Sequence, residues 1–218
     1  MIIIFYKYYK YNYKMASSSN ENDDYTTLRS SVESGDNIFL TGPGGVGKSY
    51  YINKLRDELK AKGVNICLTS TTGVSSFNLG AQTIHSFSGI GVLNKGDKLD
   101  KVIRKIKRSK NFLTVFEKID KCDLLVIDEI SMLGKQYLEM IDEVFQHVKK
   151  TKKVFGGIQV IFTGDFLQLP PIEDKFCFHS SVWEKLSLKT IYLRKMYRVT
   201  DPEYTGILER IRVAKHTT

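Results

Sequence analysis

Gly42, Gly47, Lys48 and Ser49 in "NIFLTGPGGVGKSY" fit the spacing G-x-x-x-x-G-K-[ST]. The spacing has a chemical reason. Glycines let the backbone wrap a phosphate so that successive N–H groups point inward, and a helix opening behind them adds its positive dipole end. Gly42, Pro43, Gly44, Gly45, Val46, Gly47, Lys48, Ser49 and Tyr50 then form a nucleotide cradle. In it Lys48 reaches the β- and γ-phosphates and Ser49 offers its hydroxyl to Mg²⁺. A Gly-rich turn with an exposed lysine would spell the same letters. A chance match somewhere in such a length is about one in a hundred, and rarer still between a strand and a helix.

A second constellation is "LLVIDEISMLG", where a run of apolar residues ends in Asp128 and Glu129. Burying unpaired carboxylates is costly, so the pair needs a partner. In nucleotide-binding sheets a neighbouring strand ends in an aspartate that holds Mg²⁺ directly or through water. Asp128 reads as that metal holder and Glu129 as the general base that polarises the attacking water. The plainer alternative is a pair that caps a strand end.

These groups need a scaffold. "NIFL" (37–40), "VNICLTS" (64–70), "DLLVID" (123–128), "IQVIFTG" (158–164) and "TIYL" (190–193) read as strands. Several are apolar throughout, as expected of strands covered on both faces. Helical stretches lie between them, at 48–62, 98–108, 112–120, 134–149 and 201–213. The alternation predicts an α/β fold with a mostly parallel β-sheet flanked by helices on both faces.

At 42% hydrophobic and 26% charged, the 218 residues suit one domain with a real core. The formal net charge of +9 suits a polyanionic partner, although lysines also serve solubility. Segment 95–110 is strongly basic, and its plainer reading is a solvated helix face rather than a nucleic-acid contact. Cys67, Cys122 and Cys177 form no metal or disulfide pattern, which points to a reducing intracellular compartment. No apolar run is long enough to span a membrane. Residues 1–24 read as a leader: "MIIIFYKYYKYNYK" lacks a signal-peptide cleavage site and resembles translated upstream sequence, and 15–24 are a flexible polar stretch.

Three further stretches narrow the class. "STTGVSSFNLGAQTIHSFSGIG" (70–91) is too patterned for a linker. "FTGDFLQLPPI" (162–172) follows a strand with Asp165 and Gln168 and is broken by Pro170 and Pro171, and "YLRKMYR" (192–198) carries Arg194 and Arg198. With "GPGGVGKS" and "VIDEISML", in this order and spacing, the chain resembles the Pif-type DNA helicases, superfamily 1B motors related to RecD. "TIHSFSGIG" and "GDFLQLPP" are the discriminating pieces, and the resemblance covers about residues 37–213.

The resemblance implies a RecA-like P-loop NTPase domain over residues 25–218, the first lobe of an ATP-dependent 5′-to-3′ helicase in DNA repair, recombination and genome maintenance. It implies ATP and Mg²⁺ as cofactors, single-stranded DNA or DNA junctions as partners, and work in the nucleus or another DNA-replicating compartment. Gln168 matches the glutamine that senses the γ-phosphate, Asp165 the acidic residue of the same motif, and Arg198 the arginine that reaches the γ-phosphate at the cleft. Thr72, Gly73, Phe77, His85, Ser86 and Phe87 match the block that lies along single-stranded DNA; the plainer reading is core packing for His85 and Phe87, and a surface cation for Arg198. The match fails in places. No glutamine precedes Gln82 to read adenine, and Val199 stands where the family commonly has glutamine. The motifs of a second RecA-like lobe are absent, which leads to the expectation that this chain alone hydrolyses ATP weakly and unwinds nothing. The competing reading is a truncated, non-catalytic nucleic-acid-binding remnant.

Overall fold

The computed structural model describes residues 21–94, 96–199 and 201–214. Six strands form one sheet: β1 (Ile38–Thr41), β2 (Ile66–Ser70), β3 (Gln82–Thr83), β4 (Leu124–Asp128), β5 (Gln159–Gly164) and β6 (Lys189–Tyr192). Their order is β3-β2-β4-β5-β1-β6, and every pairing is parallel. The five strands read from sequence are present to within a residue or two. The additional strand, β3, is two residues long and leaves no periodic trace.

Alternation along each strand explains why the runs are apolar throughout. Ile38, Leu40, Leu124, Val126 and Ile161 face one layer, where they meet α1 (Glu21–Glu33) and α2 (Lys48–Ala61) through Leu28, Val32, Ile52 and Leu55. Phe39, Leu125, Ile127, Val160 and Phe162 face the other. That layer holds α4 (Ile84–Ser88), α5 (Leu99–Arg108), α6 (Phe112–Asp120) and α7 (Lys135–Lys149). Both faces are dry, so neither can carry polar residues at alternate positions. The described residues hold three further α-helices: α3 (Gly73–Asn78), α8 (Ser181–Lys185) and α9 (Pro202–Arg212).

Helix α1 corrects part of the sequence reading. Residues 1–20 lie outside the described residues, but 21–24, read as leader, form the first turn of α1. Tyr25, Leu28 and Val32 recur at helical spacing and are buried, while the rest of the segment is polar enough to look like linker. Because the sheet is parallel, every strand ends on the same edge. The loop after β1, the ends of β2, β4 and β5, and the arm after β6 converge there, where α/β sheets bind their ligands.

Candidate nucleotide site and nucleic-acid face

The loop between β1 and α2 turns through three positive-φ glycines, Gly42 (148°), Gly45 (89°) and Gly47 (86°). The arm after β6 lies against it. Tyr197 N–H donates to the Gly45 carbonyl at 2.9 Å, and a Cβ on Gly45 would sit 2.8 Å from Arg198 Cβ. Lys48 Nζ donates to the Gly42 and Pro43 carbonyls at 2.7 and 2.8 Å, curled inside its own loop. Burial lowers its pKa, opposed by the carboxylates of Asp165, Glu129 and Asp128. An ammonium so placed is desolvated and gains from an arriving phosphate.

The acidic pair ends β4 as expected. Asp128 is buried, and its two carboxylate oxygens accept from the Thr163 hydroxyl and, at 3.1 Å, from the Ser75 hydroxyl. Neither donor was read as functional from sequence. Thr163 lay inside "FTGD" as an unremarked strand residue, and Ser75 is 53 positions from Asp128. Together they offset the cost of burying the carboxylate and fix its direction. Glu129 is left-handed at φ 53° and half-buried. Burial raises its carboxyl pKa, as does Asp128, while Lys48 and Arg198 oppose the shift. A carboxylate moved toward neutrality is a better proton acceptor.

Asp165 is fully buried beneath the 165–168 turn. Arg212, at the end of α9, grips it with two hydrogen bonds: Nε to Oδ2 at 2.6 Å and Nη2 to Oδ1 at 3.0 Å. Sequence reasoning missed Arg212, because nothing in "ILERIRVAK" marks one arginine over another. Gln168 is exposed, and its Nε2 lies 3.7 Å from where a Cβ on Gly44 would be, so it faces the phosphate loop.

Ser49, Thr72, Asp128, Glu129, Gln168 and Arg198 line a single cavity of about 470 Å³. Two other clefts, of about 640 and 800 Å³, run beside α5 and α7 and contain no phosphate-loop residue. The donor set at the cavity fits a phosphate-bound divalent cation. Ser49 and Asp128 both open onto it, but among the described residues no cluster of three or more His, Cys, Asp or Glu could hold an ion alone. Phosphate oxygens and water would have to complete an octahedral shell, which is how Mg²⁺ is usually held.

The predicted DNA residues separate. Thr72 caps α3, accepting from Ser75 N–H at 3.2 Å, and also lines the nucleotide cavity, while Gly73 is exposed at the first turn of α3. Phe77 is 87% exposed and Ser86 is exposed. His85 is half-buried, edge-on to Tyr137 with ring centroids 4.7 Å apart, and burial lowers its pKa. Phe87 is the correction. It is 2% exposed and packs against Phe145, so its ring presents no face to a base. The helical repeat of α4 turns Ile84, Phe87 and Ser88 inward together.

Residues 19–212 match the family model described as PIF1-like helicase. The ATP-dependent DNA helicase PIF1 of Saccharomyces cerevisiae is 41% identical over 193 residues, an alignment covering 84% of this chain and 22% of that protein. The crystal structure of Pif1 helicase from Candida albicans superposes with a TM-score of 0.80 at 33% identity, covering 91% of this chain and 44% of that one. Bacteroides Pif1 in complex with ADP-AlF3 and single-stranded DNA gives 0.78 at 29% identity, covering 92% and 48%. The chain thus spans about a fifth of the yeast relative and under half of these two solved chains.

Proposed function

The chain belongs to the PIF1-like helicase family, and from that membership we propose that it is the nucleotide-hydrolysing lobe of an ATP-dependent 5′-to-3′ DNA helicase. The observation that supports this reading is the shared cavity: residues from four strand ends and the arm after β6 open onto one space of about 470 Å³. The loop N–H groups and Lys48 bind the β- and γ-phosphates. Ser49 and Asp128 would hold Mg²⁺, which neutralises phosphate charge when bound. Glu129 takes the proton of the attacking water, and Gln168 and Arg198 stabilise charge that develops on the γ-phosphate. A second RecA-like lobe supplies the other wall of the cleft.

Single-stranded DNA or a DNA junction runs over the exposed ends of α3 and α4. Phe77 offers a stacking ring there, Ser86 and the α3 N-terminus bind phosphates without sequence preference, and His85 lends a polar edge. Such work belongs where DNA is maintained, in a reducing compartment such as the nucleus, in repair and recombination. No helix among the described residues is long and apolar enough to cross a membrane.

The test is ATP turnover by the purified chain with and without single-stranded DNA, for wild type, Lys48→Ala and Glu129→Gln. The proposal expects turnover in wild type and its loss in both variants. Equal background rates in all three would leave a nucleic-acid-binding remnant as the better reading.

A further inference from the structure

Helix α9 carries a residue that reaches into this edge of the sheet. Asp201 caps its start, accepting from Glu203 and Tyr204 N–H groups at 2.9 and 3.3 Å. Its apolar side chains do little to seat it, since Ile207, Leu208 and Ile211 are 38%, 37% and 65% exposed. What ties it inward is Arg212, with a side chain only 10% exposed, forked onto the fully buried Asp165. Its third nitrogen, Nη1, is held by Glu209 at 2.8 Å, so the guanidinium is fixed from both sides.

Asp165 is the hinge point of the turn that follows β5. Its Oδ1 accepts from Leu167 N–H at 3.1 Å, and its carbonyl accepts from Gln168 N–H at 2.9 Å. The Asp165 carboxylate and carbonyl thus pin the backbone of the turn that carries Gln168, whose Nε2 lies 3.7 Å from where a Cβ on Gly44 would be. Asp165 is also the first of the carboxylates that act on the Lys48 ammonium, and Arg212 opposes it there. A bidentate fork is directional, and a lysine cannot reproduce it.

We propose that Arg212 is a positioning residue of the nucleotide cavity: by clamping Asp165 it holds the 165–168 turn, and hence Gln168, in place to distinguish ATP from ADP. Because Arg212 sits on α9, any load that shifts this helix is transmitted to the γ-phosphate side of the cavity. The inference rests on the reading of that cavity as an ATP site.

Equilibrium binding of a non-hydrolysable ATP analogue and of ADP, with Mg²⁺, tests it in wild type, Arg212→Lys, Gln168→Ala, their combination, and Lys48→Ala. Arg212→Lys should weaken the ATP analogue roughly tenfold, as one lost charge-assisted hydrogen bond would, and leave ADP within about twofold. In the Gln168→Ala background it should add nothing. Equal losses for both nucleotides, or losses additive with Gln168→Ala, mark a merely structural ion pair and overturn the inference. If Arg212→Lys does not fold, Arg212→Met with Asp165→Asn leaves neither partner of this pair charged and carries the same comparison. Lys48→Ala separates the two claims. If it binds as tightly as wild type, the ATP-site reading fails and takes this inference with it. Loss in Lys48→Ala with unchanged Arg212→Lys overturns the inference alone.

Discussion

Replacing Gly42 by alanine should break the link between β1, the phosphate loop and the arm after β6. Gly42 has φ of +148°, and an added Cβ would lie 2.4 Å from the Leu193 carbonyl oxygen, a backbone atom that cannot rotate away. Leu193 is itself pinned, since its N–H donates to the Thr41 carbonyl at 2.8 Å. Backbone strain of this kind costs on the order of 1–3 kcal/mol. Overpacking against fixed atoms adds about 1–3 kcal/mol, for a total near 4 kcal/mol. At roughly 2–4 °C per kcal/mol for a domain of this size, the melting temperature should fall by about 8–16 °C. Two other glycines calibrate the argument. Gly63 has φ of +77° with open space around it, so Gly63→Ala should cost about 1 kcal/mol from strain alone. Gly73 has neither a positive φ nor a neighbour within 4 Å, so Gly73→Ala should be nearly silent, within about 0.5 kcal/mol. Thermal melts followed by circular dichroism give all three values. A Gly42→Ala chain melting within about 2 °C of wild type, or no more affected than Gly63→Ala, would refute the close-approach reasoning.

Thr163→Val removes a hydroxyl donor from the buried Asp128, so chemical denaturation should show a loss of about 1–3 kcal/mol, with Mg²⁺-dependent nucleotide affinity falling as well. Glu129 has a folded-state pKa above its ordinary 4.5, so between the two values the folded protein keeps a proton that the unfolded chain has released. Stability therefore falls as pH rises through that window, and the penalty persists above it. Glu129→Gln lacks the penalty, so its melting temperature should exceed that of wild type above the window and converge with it below about pH 4. Phe87→Ala should cost about 3–5 kcal/mol of stability as a core cavity, which denaturant titration will register. Phe77→Ala should leave stability within about 0.5 kcal/mol. Fluorescence anisotropy should show its affinity for single-stranded DNA lowered by about 1–3 kcal/mol, the worth of one stacked base.

The strands were legible because burial on both faces forces long apolar runs, as in "LLVID" and "IQVIFTG". Their order was not legible, since β1 lies between β5 and β6 and nothing local in "NIFL" encodes either neighbour. Helix α1 escaped because its buried stripe holds only three apolar residues, with Ser31 buried among them, in a polar segment. The placement of the Gly-rich loop between a strand and a helix, and of the acidic pair at a strand end, was readable because each is set by spacing within a few residues. Thr163 and Ser75 on Asp128, and Arg212 on Asp165, were not, because each is a long-range pairing made by the fold. Phe87 shows the opposite failure. The resemblance placed it beside exposed neighbours along the DNA, but the helical repeat turns its ring into the core.

Amide hydrogen exchange with and without Mg²⁺ and a non-hydrolysable ATP analogue tests most directly whether loop, acidic pair and turn form one nucleotide site. Exchange should slow at residues 44–49 and at the 165–168 turn together, with no comparable change along the basic helix α5, and the effect should be lost in Lys48→Ala. Exchange unchanged at both segments, or slowed at α5 alone, would contradict a single nucleotide site.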